Sequence, residues 1–283
     1  MAKSIAPSYQ QSLQSHLADH AGIALGILEA GTYRGKTYPH ILPKGRQDLN
    51  LLEPPRAALQ AYLKAHPRVR LHKYFHHLNS SQAFVFNLFF PFFSSGPAPA
   101  RALSRALGVD QDVTSDWEFE HIADLDEGTN ADVMWRTSEA RVFCEVKLSE
   151  TGFGTTKNDL KHQLKLQNIY RPRLTSIVSQ DFLNETTFFR NYQLLRNISL
   201  LSSNEEDQLV FLLPFANRSL HKPLQTILSG VRPLFRRRIK VAYIEECLNS
   251  LETNGRLTDE LRSYASKLKD KYVVSVYSAS ATV

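Results

Sequence analysis

Asp132, Glu145 and Lys147 stand in the stretch "TNADVMWRTSEARVFCEVKLSE", residues 129–150. Two apolar runs carry them, "ADVMW" at 131–135 and "RVFCEVKLS" at 141–149, with the polar joint "RTSEA" between. The runs read as two strands of a hairpin. Pairing Thr137 with Ala140 would bring Asp132 opposite Glu145, and a slip of one residue would part them. Adjacent carboxylates repel unless a cation sits between them or one stays protonated. Mg²⁺ takes oxygen ligands from one or two carboxylates and keeps waters for the rest. Asp132, Glu145 and the backbone carbonyl of Val146 offer such a set, with Mn²⁺ as an expected substitute. Lys147 is then placed to hold an attacking water or to counter charge developing on a phosphate. That chemistry is metal-assisted phosphodiester hydrolysis.

Side chains alternate along a strand, so Phe143, Glu145 and Lys147 share one face. Val142, Cys144, Val146 and Leu148 share the other, which is the expected core face. Glu145 and Lys147 are therefore expected on an outward face. The bland alternative is an exposed Glu145–Lys147 pair contributing about 0–1 kcal/mol, and it leaves Asp132 unexplained.

The rest of the chain predicts a framework for this hairpin. Helices are expected over 55–66, 79–90, 97–109, 156–170, 186–201 and 258–272, the last capped by Thr258. Strands are expected over 116–125, 207–215 and 238–246, besides the two in the hairpin. Gly31, Gly35, Pro39, Pro43, Gly45, Pro54 and Pro55 mark residues 31–56 as loop. The fold class is α/β (α+β), a central mixed sheet flanked by helices in the order helix, three strands, helix, strand. An N-terminal helical and irregular extension is expected over 1–70, a core over 71–215, and a basic C-terminal α/β addition over 216–283.

The pattern D…ExK, framed by apolar residues in that element order, resembles the PD-(D/E)xK nuclease superfamily. Asp132 matches its first metal ligand, and Glu145 and Lys147 match its ExK motif. Ala131 stands where the namesake motif has Pro. The flanking pieces "HHLNSSQAFVFNLFFPF" (76–92), "EVKLSE" (145–150) and "RNYQLLRN" (190–197) are similar to a group of uncharacterised bacterial restriction-endonuclease-like proteins. The resemblance covers roughly residues 70–215 and implies a restriction-endonuclease-like core and Mg²⁺-dependent DNA cleavage of restriction or defence type. It also implies an upstream acid that joins the metal, for which Glu120 is the candidate. Double-strand cutters commonly act as two-fold dimers, so a homodimer is expected. Two alternatives stand beside this: a fold of the same type that grips nucleic acid without cutting, and an unrelated α/β protein acting on an acidic partner.

Further polar groups are candidates for contact with the nucleic acid. Gln82 lies on the apolar helix of 79–90, Gln163 on the helix after ExK, and Gln193 and Arg196 share a face of the next. Residues 116–150 hold ten acids, Asp126 included, against three bases. Residues 34–73 hold nine bases against Asp48 and Glu53, and residues 214–240 hold seven bases and no acid. An acidic centre between basic flanks suits a metal site gripped by phosphate-binding walls. "RPLFRRRIK", with Arg236, Arg237 and Arg238, is the sharpest basic cluster. His72 and His76, four apart, have the spacing of one helix face.

Composition bounds the rest. The 283 residues, 42% hydrophobic and 22% charged, suffice for a sizeable core, and the net charge of +6 suits a polyanion. Two cysteines make no disulfide framework, and the N-terminus lacks a signal-peptide core, so a cytoplasmic setting is expected. The most apolar run, "FVFNLFFPFF" at 84–93, is about half a membrane span and reads as a buried helix.

Overall fold

The computed structural model describes residues 7–124, 127–128 and 130–274. Expectations touching residues 1–6, Leu125, Asp126, Thr129 and 275–283 lie outside the described residues. Helix α1 (Tyr9–Leu25) opens with a capping box between Ser8 and Gln11 and stops at Gly26, whose φ of 63° suits glycine. Strands β1 (Gly31–Tyr33) and β2 (Lys36–Tyr38) form a small antiparallel hairpin where only loop is expected from the glycine and proline content. Helices α2 (Arg56–Ala65), α3 (Ser81–Ser94) and α4 (Pro97–Ala106) follow.

Ser80 caps α3, and the helix continues through Asn87 and Pro91 with every residue from Ala83 to Phe93 buried. Such a helix needs its internal polar group satisfied. Asn87 donates to Asn50 O and Tyr272 Oη, and its Oδ1 accepts from Leu52 N. Among the described residues no helix is long and apolar enough to cross a membrane.

The central sheet holds β3 (Val113–Ile122), β4 (Asn130–Thr137), β5 (Arg141–Val146), β6 (Gln208–Leu213) and β7 (Ile239–Tyr243), side by side in that order. β4 is antiparallel to both β3 and β5, whereas β5, β6 and β7 run parallel. Helices α5 (Leu160–Lys165), α6 (Arg171–Leu174), α7 (Glu185–Arg190) and α8 (Tyr192–Ser199) lead from β5 to β6. Helices α9 (Arg218–Ser229) and α10 (Pro233–Arg236) lead from β6 to β7, and α11 (Ile244–Glu252) and α12 (Asp259–Tyr272) follow it. The molecule is thus a mixed α/β fold with a central mixed sheet flanked by helices.

Two helical expectations change in detail. The helix expected over 156–170 starts later, behind the Asp159 cap, and passes into a π-turn at Leu166–Tyr170. The one expected over 186–201 is broken at Asn191 (φ −115°, ψ 28°) into α7 and α8.

The hairpin register is the one the turn implies. Thr137 N donates to Ala140 O, and the pairs run Arg136↔Arg141 to Val133↔Cys144. The outward face is the error. Val142, Cys144 and Val146 pack into a core with α1, α3, α4, α11 and α12, while Phe143 lies in a second core built with Leu166, Tyr170, Leu194 and Leu220. Glu145 is 3% and Lys147 7% exposed. The reason is topological. A parallel partner such as β6 must be reached by a crossover, and its helices cover the second face.

Candidate active site

β4 delivers Asp132 and β5 delivers Glu145, one step beyond the last paired residues Val133 and Cys144. Asp132 Oδ2 accepts from the backbone N–H of Val146 at 2.7 Å, which ties the carboxylate to the end of β5. On the other flank, Phe119↔Val133 and His121↔Ala131 bracket Glu120 against Asp132. Glu120 takes φ = 53°, in a region non-glycine residues rarely adopt. Strain of this kind, of order 1–3 kcal/mol, persists where surroundings over-determine it. Here Gln82 Nε2 donates to Glu120 Oε1 at 2.8 Å and Asn130 Nδ2 to Oε2 at 3.0 Å.

The Glu145 carboxylate is held from two elements. Lys147 Nζ donates to Oε1 at 2.8 Å, from the same strand. Helix α8 adds Gln193 Nε2 on Oε1 at 2.5 Å and Asn197 Nδ2 on Oε2 at 2.9 Å, with Arg196 Nη2 3.8 Å from Oε2. Gln193 and Asn197 lie one helical turn apart, so both reach the same group. The turn at "GFG" fixes Gln193 in place: Gly154 N donates to Gln193 Oε1, which leaves the amide nitrogen for Glu145.

Electrostatics single out Asp132. Burial first, then the Glu145 and Glu120 carboxylates, push its carboxyl well above the usual carboxylate range, and Lys147 and the Val146 N–H offset this only in part. For Lys147 burial acts to lower the ammonium, yet Glu145, Glu150 and Asp132 outweigh it and raise it overall. Lys147 therefore stays a cation inside the protein. Asp132, Glu120, Glu150, Gln82, His72 and His77 line one cavity of about 410 Å³.

Among the described residues, no three His, Cys, Asp or Glu side chains form a ready metal cage. Mg²⁺ asks for less, one or two carboxylates with waters completing the shell. Asp132, pressed by two further carboxylates beside an open polar cavity, fits such a hard, largely hydrated ion.

Several sequence candidates come together here and others do not. Gln82 reaches Glu120, while Gln193 and Arg196 reach Glu145. Gln163 is bonded to Asn158 instead. Arg236, Arg237 and Arg238 precede β7, at the sheet end opposite the carboxylates, because β5, β6 and β7 are parallel. Arg238 is buried and donates to the carbonyls of Asp207, Leu201 and Asn204, so it is a structural tie and not a phosphate contact. His76 lies in a turn and His72 in the irregular segment before it, so the two do not share a helix face. Asn197 was not singled out from the sequence; its spacing of four from Gln193 is the signal that could have found it.

A mixed α/β sheet carrying a carboxylate pair and a buried lysine at one strand end is compatible with a restriction-endonuclease-like fold. Comparison with known families gives the same class. The family model described as Restriction Endonuclease associating with ARP matches residues 11–273, and the chain belongs to that family. No curated protein and no solved structure matches it.

Proposed function

We propose that this chain is a Mg²⁺-dependent endonuclease that hydrolyses DNA phosphodiester bonds, with Asp132, Glu145 and the Val146 carbonyl holding the ion. The observation that carries this is the placement of the Asp132 carboxyl, bonded to Val146 N at 2.7 Å at the end of β5, where burial and the Glu145 and Glu120 carboxylates push it up despite Lys147. A divalent cation relieves that repulsion, and when bound it supplies charge neutralisation at the scissile phosphate. Lys147 is the residue that orients the attacking water. Its Nζ, kept charged and anchored 2.8 Å from Glu145 Oε1, sits at the carboxylates without needing an outside counterion. Gln193 and Asn197 are positioning residues that keep Glu145 facing Lys147. Glu120, held by Gln82 and Asn130, adds a third negative group to the cavity wall.

Nicking of supercoiled plasmid tests the reading. Mg²⁺ or Mn²⁺ should support it and EDTA should stop it. Asp132→Ala and Lys147→Ala should each lower the initial rate about 100-fold or more, the usual scale for losing a preorganised electrostatic group. Unchanged rates in both variants would sink the assignment. The donors already filling the Glu145 oxygens favour one rival, a nucleic-acid-binding module that does not cut. It expects salt-sensitive DNA binding with no nicking in either metal.

A further inference from the structure

One wall of the Asp132 cavity is aromatic and basic. Tyr74, His72 and His77 line the cavity together with Asp132, Glu120 and Glu150. Tyr33 packs edge-on against Tyr74, ring centroids 5.2 Å apart, and His77 lies 5.1 Å from Tyr74 and 5.3 Å from Tyr33. The β1–β2 hairpin is tied to this wall through the Ile41↔His77 bridge and the bonds Leu42 N to His76 O and Leu78 N to His40 O. The Arg34 guanidinium lies 5.2 Å over Tyr33 and the Lys73 ammonium 4.7 Å over Tyr74. Arg34, Lys36, Arg68, Arg70 and Lys73 are all exposed. His77 Nε2 is buried and, among the described residues, has no hydrogen-bond partner.

Resting on the nuclease reading above, we propose that this wall receives a DNA strand whose bases are unstacked, with a base against Tyr74 and its phosphates on Lys73 and Arg34. An aromatic ring can stack only on a base with a free face, and a closed duplex hides those faces. Rings interleaved with cations are the surface that tracks single strands, rings taking bases and cations taking phosphates. Lys73 is exposed and carries its ammonium on a rotatable four-carbon stem, so a base can displace it from the Tyr74 ring toward the neighbouring phosphate. The wall shares its cavity with Asp132, so the stacked nucleotide lies next to the phosphate presented for cleavage. The substrate class is therefore DNA with single-stranded character: free strands, gaps, or frayed ends.

Fluorescence anisotropy in EDTA, where no cleavage occurs, tests this with the full chain. The probes are a fluorescein-labelled 20-nucleotide strand of mixed sequence, its blunt duplex, and the same strand with abasic linkers replacing its bases; the oligonucleotide length is about twice a typical aromatic single-strand site. The strand should bind several-fold more tightly than the duplex, and the abasic strand should lose that advantage, a comparison that needs no variant. Tyr74→Ala should weaken strand binding about tenfold with little effect on the duplex, and Tyr74→Phe should restore it. Lys73→Ala should weaken both and reduce the salt slope by about one. Equal or tighter binding of duplex, or an abasic strand that binds like the parent strand, overturns the proposal. A chain that still nicks plasmid while preferring duplex keeps the nuclease reading and loses this one. A chain that binds strands through Tyr74 but never cuts does the reverse.

Discussion

Lys147 and Lys271 are both buried, 7% and 0% exposed, yet they are different chemical groups. Lys147 follows β5 directly, among Glu145, Glu150 and Asp132, and those carboxylates overcome the effect of burial and hold it charged. Lys271 lies in α12 and donates to Asn50 O at 2.6 Å and Asn50 Oδ1 at 2.9 Å. Its partners are neutral, so burial, with Arg56 adding repulsion, pulls it down to about 7. The Lys147 surroundings stabilise a permanent cation beside acids. The Lys271 surroundings make a strut that joins α12 to the loop before α2 and works as well when uncharged. Burial of a lysine by itself therefore does not mark a site; the acids around it do.

Removing each amine should separate the two environments. Lys147→Met leaves Glu145 buried with amide donors and a guanidinium 3.8 Å away. Breaking a buried pair from one side should destabilise the metal-free protein by about 3 kcal/mol in urea unfolding at pH 7. A loss below about 1 kcal/mol would mean that the ion pair is not holding this carboxylate.

Lys271 should instead reveal itself through pH. Below pH 7 it is charged in both folded and unfolded states. Between about 7 and its ordinary value of 10.5 the unfolded chain binds the extra proton, so stability from this group rises with pH. The slope is at most about 1.4 kcal/mol per pH unit. From pH 7 to 8.5 the parent should gain about 2 kcal/mol relative to Lys271→Met. Parallel curves for the two proteins would show that Lys271 is not depressed.

A smaller effect is expected from the amide support of Glu145. Asn197→Ala removes the donor 2.9 Å from Oε2 and should lower stability by about 1.5 kcal/mol, the scale of a hydrogen bond to a charged group. The smallest belongs to a surface control. Lys269 pairs with Glu252 at 2.9 Å on the outside of α12, and Lys269→Ala should change stability by less than about 0.5 kcal/mol. A larger change there would blur the contrast between buried and exposed lysines.

Much of the framework was legible because it is written locally. Thr258 capping α12 and the apolar runs of β4 and β5 are short-range signals, and each element forms where those signals lie. The β1–β2 hairpin was illegible because its strands are three residues long and set among glycines and prolines. Asn197 was hidden for another reason. Its role depends on α8 docking over the end of β5, a contact between segments about 50 residues apart.

The chain's own order of residues offered the hairpin register as one of two, and the bond from Thr137 N to Ala140 O in the fold selects it. That register alone brings Asp132 to the end of β5. Tertiary structure decided what those groups face. The crossover to a parallel β6 lays helices over Glu145 and Lys147, turning an expected surface pair into a buried one. It also decided where each basic segment lies. Lys73 sits over Tyr74, which lines the Asp132 cavity, and Arg34 over Tyr33, which packs on Tyr74, whereas Arg236–Arg238 fall at the far end of the sheet. Charge runs are equally visible in sequence, but only strand direction says at which end of the sheet each one emerges.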